Sequence, residues 1–296
     1  MSLNTSPDTV LTTAQKRPHI VFGGGIARAL VADLGVLMAA RKRGLSFAST
    51  GGISAGAVMP LLYAAGISDD QLKDIVMTRN LGDFMDHNYR TLHLARLAWR
   101  VLNRHSYRKS LPSKGLYNTG KLADFLETVV TAWPENYWTM AFAPKVDAQI
   151  IFTREGVHKR FRDGKIVLVD SKPAAIGLAV RATCAVPGFF DSVIYVSSSG
   201  ESFELFDGFL SWDGYCPAAF VEKFFGATRQ SIIACDVIQY KTPNRLLDKG
   251  YLAVLTPNPP FPPHQFKPSL LQKSMGMTAA FTDAQAQFAQ LPLGSA

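Results

Sequence analysis

The sequence predicts an α/β protein built on a parallel sheet covered by helices. Two observations carry that prediction. A short apolar strand, a glycine turn and a helical run follow one another twice within residues 19–66, the order that opens such a sheet. The chain is also long and apolar: 296 residues, 47% hydrophobic and 18% charged, enough to bury one large core or two small ones without disulfides.

The elements follow in order. Residues 1–17 are polar and read as a leader. His19 to Phe22 form a short strand that runs into Gly23-Gly24-Gly25, and Ile26 to Arg43 follow with Leu30, Leu34, Leu37 and Met38 at helical spacing. Gly44 suits a helix C-cap. Leu45 to Thr50 read as a second strand, and Gly51-Gly52-Ile53-Ser54-Ala55-Gly56 as the turn into a small-residue helix that Gly66 closes. Asp69 to Thr78 form a helix capped by Ser68 or Asp69. Asn118 to Lys121 lead into a helix over Leu122 to Val130, which Trp133-Pro134 end.

Ala148 to Thr153, Val157 to Phe161 and Ile166 to Val169 have strand character, and Arg154-Glu155-Gly156 and Arg162-Asp163-Gly164 between them suit hairpin turns. A helix over Ala174 to Thr183, a strand over Ser192 to Ser197 and the run Glu204-Leu205-Phe206 precede Asp207-Gly208. A helix near Ala218 to Phe224 and a strand over Ser231 to Cys235 complete residues 18–256, read as one domain. Residues 257–296 hold six prolines up to Pro268 and then a helical stripe of Phe281, Ala284, Phe288 and Leu291, which suits a helix docked on the core. No internal repeat is visible.

The net charge of +8 is unevenly placed. Residues 87–123 contain Arg90, Arg96, Arg100, Arg104, Arg108, Lys109, Lys114 and Lys121 and no acid, so that segment carries the whole surplus. Four of those arginines recur at every fourth position from 96 to 108, with Leu94, Leu97, Val101 and Leu102 between them. Such a helix suits an anionic membrane surface, and equally a core-packing helix with a solvated charged face. Few rings there, Tyr89, Trp99 and Tyr107 among them, could stack on bases, so nucleic acid is not expected as a partner. Cys184, Cys216 and Cys235 are too widely spaced for a zinc motif and odd in number, which suits reduced, buried thiols. The sequence has no apolar run of the roughly 18 residues that span a bilayer. Its polar start, with no apolar export segment, leaves a cytoplasmic protein, at most peripheral to membranes, as the expectation.

Gly52-Ile53-Ser54-Ala55-Gly56 is Gly-x-Ser-x-Gly between a strand and a helix, the setting of a nucleophile elbow. Small residues there also suit mere tight packing of strand on helix. Gly23-Gly24-Gly25 occupies the equivalent place after the first strand and can present backbone N–H groups to an anion. A dinucleotide fingerprint fails because Arg28 holds the last glycine position, and no Gly-Lys-Ser or Gly-Lys-Thr follows. Two glycine turns at one sheet edge instead suit an oxyanion hole facing a serine. None of the histidines, His19, His87, His93, His105, His158 and His264, follows a strand end in the C-terminal part of the core. Asp207 does, and a carboxylate can serve as the direct base if it reaches the hydroxyl.

These residues resemble the patatin-like phospholipase family over roughly residues 19–240. The match includes the Ala179 to Phe190 block of small residues, proline and phenylalanine ahead of the aspartate. The resemblance implies a three-layer α/β/α sandwich with a mostly parallel central sheet. It implies Ser54 and Asp207 as a catalytic dyad without histidine, and Gly23, Gly24 and Gly25 as the oxyanion hole. Gly52 and Gly56 flank the elbow, Arg28 and Arg181 are candidate supporting residues, and no cofactor or metal is called for. The sequence departs from the family where Ala27 and Arg28 follow the glycine loop, since the basic residue is displaced by one, and where Phe209 follows Asp207-Gly208. The implied activity is hydrolysis of phospholipid or other acyl ester, of phospholipase A or lysophospholipase type. An acyltransferase or thioesterase with the same nucleophile, or a silent partner-binding scaffold, are the alternatives.

Overall fold

In the computed structural model, which describes residues 17–88, 111–238, 249–262 and 265–291, the strands nearest the chain's start form the middle of one eight-stranded sheet. Its members are β1 (His19–Phe22), β2 (Ser49–Gly52), β5 (Tyr137–Ala143), β6 (Ala148–Thr153), β7 (Gly156–Phe161), β8 (Ile166–Asp170), β11 (Ile232–Cys235) and β12 (Ala253–Leu255). They lie in the order β12-β11-β1-β2-β5-β6-β7-β8. Pairing is parallel from β12 through β5 and antiparallel from β5 through β8. Two small ladders stand outside it. One pairs β3 (Asp86–His87) with β4 (Tyr117–Asn118), the other β9 (Val193–Val196) with β10 (Ser202–Leu205).

Alternation along the strands makes the layers, because successive side chains point to opposite faces. Ile20, Phe22, Ile233 and Cys235 enter one core with α1 (Ile26–Lys42), α2 (Val58–Ala64), α3 (Asp69–Thr78), α4 (Gly120–Val129) and α5 (Ile176–Thr183). Ala280, Ala284 and Phe288 of α7 (Leu270–Ala289) join the same core. Val21, Ile232, Ala234, Trp138 and Met140 face the other way, against α6 (Ala218–Phe224). The result is the helix, sheet, helix sandwich.

Local chemistry explains the ends. Ser68 accepts from the Gln71 amide and Gln71 from the Ser68 amide, a reciprocal cap that opens α3. Ser269 and Gln272 do the same for α7, which therefore starts earlier than its apolar stripe indicates. The two expected hairpins form, with Gly156 and Gly164 at positive φ.

One expectation changes. The second strand covers Ser49–Gly52 and not residues 45–50, so Gly51 and Gly52 belong to the strand. The reason is steric: a Cβ on Gly51 would lie 2.2 Å from the Trp138 carbonyl oxygen and 2.6 Å from its ring. The seven-residue β5 had no reading of its own, because it is buried at every position and shows no alternation. The basic helix expected over residues 94–108 lies outside the described residues. Two cations flanking it are described: Lys114 and Lys121 pair with Asp191 and Asp86. Asp191 also accepts from Asn88, the Gly115 amide and Asn118, which fastens both ends of that stretch to the body.

Candidate active site

The two glycine turns leave neighbouring strands at the same sheet edge, because β1 and β2 are paired in parallel with Phe22 opposite Gly52. They are in direct contact. A Cβ on Gly56 would lie 2.2 Å from the Gly23 carbonyl oxygen, and one on Gly24 would lie 3.1 Å from Ser54 Cβ and 3.6 Å from its Oγ. A Cβ on Gly52 would lie 2.4 Å from the Gly56 carbonyl oxygen. Only small residues let the loops approach this closely.

Ser54 follows Gly52-Ile53 and opens a 3-10 turn, Ser54–Ala57, ahead of α2. Its φ is +52°, a left-handed conformation that is uncommon for a residue with a side chain. Ile26, at the matching place after Gly25, also has φ +52°. For a β-branched residue that is a strained backbone, costing about 1–3 kcal/mol, and it persists where surrounding contacts fix it. At the serine the fixing contact is visible. The Ser54 amide donates to Thr183 Oγ1 at 3.0 Å, and Thr183 Oγ1 donates on to the Met140 carbonyl at 2.5 Å. Tyr137 reaches the Ala57 carbonyl at 2.9 Å and Thr139 the Gly52 carbonyl at 2.8 Å, so β5 fastens both sides of the elbow.

Asp207 comes just after β10, which a bridge from Phe206 joins to β5 of that sheet. Phe206 and Phe142 exchange backbone hydrogen bonds, and the Asp207 amide donates to the Ala185 carbonyl. The carboxylate is fully buried, accepts from the Phe209 amide at 3.0 Å and leaves Oδ2 without a partner. Burial pushes its pKa up to about 7, with the Phe209 N–H and the nearby Ser54 hydroxyl pulling the other way. The hydroxyl and the carboxylate are therefore coupled, although no hydrogen bond of ordinary geometry closes between them. Cys184 is the neighbouring thiol, and burial followed by the Asp207 charge pushes its pKa well up. A thiol held protonated in this way is a poor nucleophile.

The glycine-loop amides are unequal. Gly23 N donates to the Cys235 carbonyl at 2.9 Å and Gly24 N to the Tyr215 carbonyl at 3.0 Å, so neither is free for an anion. Among the described residues the Gly25 and Ile26 amides at the start of α1 have no such acceptor. Of the expected loop residues Gly23, Gly24 and Gly25, the first two amides are engaged within the fold and the third is not.

The two arginines serve other contacts. Arg28 is buried and holds Asn258 and the Phe261 carbonyl, tying the proline-rich stretch to α1. Arg181 donates to Thr119 Oγ1, at the start of α4, at 3.3 Å.

Ser54 lies in the wall of a cavity of about 90 Å³. Ile26, Leu30, Met59, Val76 and Phe190 make its surface apolar, and Lys273 and Arg79 stand among the few polar lining residues. The Lys273 ammonium donates to the Met77 and Arg79 carbonyls, closing the end of α3. Sequence reasoning missed Thr183 as a support for Ser54. It lies within the Ala179 to Phe190 block, but nothing in a lone threonine indicates that its hydroxyl meets an elbow amide 129 positions away.

No helix among the described residues is long and apolar enough to cross a membrane. Comparison with protein families finds a match between residues 20–216 and the model described as Patatin-like phospholipase, which spans more than half the chain and contains both Ser54 and Asp207. No curated protein matches.

Proposed function

The chain belongs to the patatin-like phospholipase family, and on that premise we propose that this lipid hydrolase cleaves carboxylic esters with Ser54 as nucleophile and Asp207 as its base. One observation supports the reading best. A buried carboxylate with an unoccupied oxygen stands beside a serine held in a strained turn, in the wall of an apolar cavity.

The chemistry follows from the groups present. Asp207 Oδ2 takes the Ser54 hydroxyl proton as Oγ bonds to the ester carbonyl carbon. The oxyanion is held by the Gly25 N–H and the positive end of α1, which carries no acid in its first turn to compete. Collapse breaks the bond to the leaving alkoxy group, which takes the proton back from Asp207 and departs as alcohol. Water then gives a proton to Asp207 and its oxygen to the acyl carbon, releasing the acid and restoring Ser54. The apolar wall suits an acyl chain, and a phospholipid or lysophospholipid is the substrate class we assign.

A fluorophosphonate probe tests this directly. Wild type is expected to label at Ser54, to hydrolyse a soluble ester at a rate that rises through pH 7 as Asp207 ionises, and to lose both on Ser54→Ala. Asp207→Ala is expected to lower kcat by at least about 1000-fold with the fold intact. Undiminished hydrolysis in either variant overturns the assignment, and an unlabelled wild type points to a silent scaffold.

A further inference from the structure

The segment from Asp207 to Cys216 carries more than the carboxylate. At its start Asp207 lies close enough to Ser54 for the serine hydroxyl to lower its pKa. Near its end the Tyr215 carbonyl holds the Gly24 amide at 3.0 Å, and a Cβ on Gly23 would lie 2.7 Å from that same oxygen. Its neck is closed by Phe209 and Tyr215, whose rings stack with centroids 5.4 Å apart and planes 1° from parallel. Between these ends the loop turns through Gly214 at φ +74° with only short turn bonds of its own. One strand-to-helix connection therefore touches both the base and the glycine loop.

The middle of that connection is fastened to the antiparallel half of the sheet by one buried polar triad. Arg160 of β7, 1% exposed, donates from Nη1 to Asp213 Oδ2 at 2.6 Å and to Gln149 Oε1 at 2.8 Å. Gln149 of β6, fully buried, donates from Nε2 to the same Asp213 oxygen at 2.7 Å. Gln149 and Arg160 are direct partners in the β6–β7 register, so the ladder sets their spacing. Trp212, next to Asp213, lies between the Arg160 and Arg162 guanidinium groups, at 5.8 Å and 5.5 Å from its ring centroid. None of these side chains lines the cavity that holds Ser54.

A buried ion pair is weak evidence for stability, because desolvation offsets its attraction, and apolar replacement of such a group often leaves stability unchanged or raised. Its value lies in geometry, since two short bonds to Asp213 and a third between its partners specify one position for it. We propose that Gln149, Arg160 and Asp213 are positioning residues that set the relative placement of Asp207 and the glycine loop, the antiparallel half of the sheet being the fixed frame. The catalytic consequence rests on the reading of Ser54 and Asp207 given above. The mechanical one does not.

The test replaces the whole triad, because removing one member strands the others unpaired in the interior. The variant Gln149→Leu/Arg160→Met/Asp213→Leu keeps approximate volume. Thermal unfolding, residue-resolved amide hydrogen exchange and ester hydrolysis are measured beside wild type. The proposal expects a melting temperature close to wild type and faster exchange at the Gly24 amide and across residues 207–216, with exchange in α1 and α7 unchanged. It also expects kcat lower by about 10- to 100-fold with KM within about twofold. Should the triple variant fail to fold, Asp213→Asn decides, with the same local rise in exchange expected in smaller measure. Exchange at Gly24 and residues 207–216 equal to wild type in the folded variant overturns the proposal. A wild type that neither labels at Ser54 nor hydrolyses ester removes the catalytic reading, while the exchange comparison still decides the coupling.

Discussion

At Ser54 the sequence motif and the backbone say the same thing for different reasons. The pentapeptide supplies small neighbours, but the turn holds its φ of +52° through a bond from the Ser54 amide to a threonine on another helix. Thr183→Val keeps the shape and removes the acceptor, leaving a buried N–H unpaired. A loss of about 1–3 kcal/mol in stability is expected, with kcat reduced by at least about tenfold. Thr183→Ser is expected to recover most of both, and chemical denaturation with steady-state kinetics checks the pair. The carboxylate gives a second expectation. A group whose pKa rises from 3.8 unfolded to about 7 folded stabilises the fold fully only below the lower value, and that contribution is lost as pH climbs through the higher one. Asp207→Asn cannot ionise, so its melting temperature is expected to match wild type near pH 4, to pull ahead up to pH 7, and to hold a constant lead above. A lead that shrinks with rising pH would contradict this account of the burial. Ser54 and Asp207 were legible because each comes just after a strand and close to glycine. Thr183 was not, because its role is a contact and leaves no local pattern.

Among elements, a close contact joins α1 and α7, and it depends on a missing side chain. A Cβ on Gly35 would lie 2.5 Å from the Met277 carbonyl oxygen and 2.9 Å from Ala280 Cβ, both on α7. Gly35→Leu is expected to lower stability by about 1–3 kcal/mol or more, since a packed core has no room to receive it, and to loosen α7 more than the sheet, which limited proteolysis reads. The helical stripe of α7 was visible in the sequence, whereas Gly35 inside α1 carries no local pattern that identifies the helix packed on it. Strands divided in the same way. Those bounded by turn residues, β6, β7 and β8, could be read, but β5, buried throughout and flanked by no hairpin on its N-terminal side, looked like any apolar run. That strand matters most to the site, since it holds the elbow through Tyr137, Met140 and Thr139.

For the whole molecule, the sheet divides its labour at β5. Its parallel half delivers the glycine loop and the serine, as the order of strands and helices in the sequence foretold. Its antiparallel half supplies Gln149 and Arg160, whose part in the site no spacing rule predicts because they meet Asp213 only across the fold. The parallel opening was legible because it is built from neighbours in the chain. The division was not, because it depends on which long-range partners pack. Long-range packing has one more result, in the interior as a whole. Cys184, Cys216 and Cys235 are all buried and in no disulfide, Cys184 and Cys235 in the core on one face of the sheet and Cys216 in the core on the other, and burial raises the pKa of each thiol. Masked from solvent in the native state, the three sulfurs form a built-in clock for unfolding. An alkylating reagent in excess counts the opening of the sandwich with no label added, and whether the three react together or in turn tells whether the layers come apart as one.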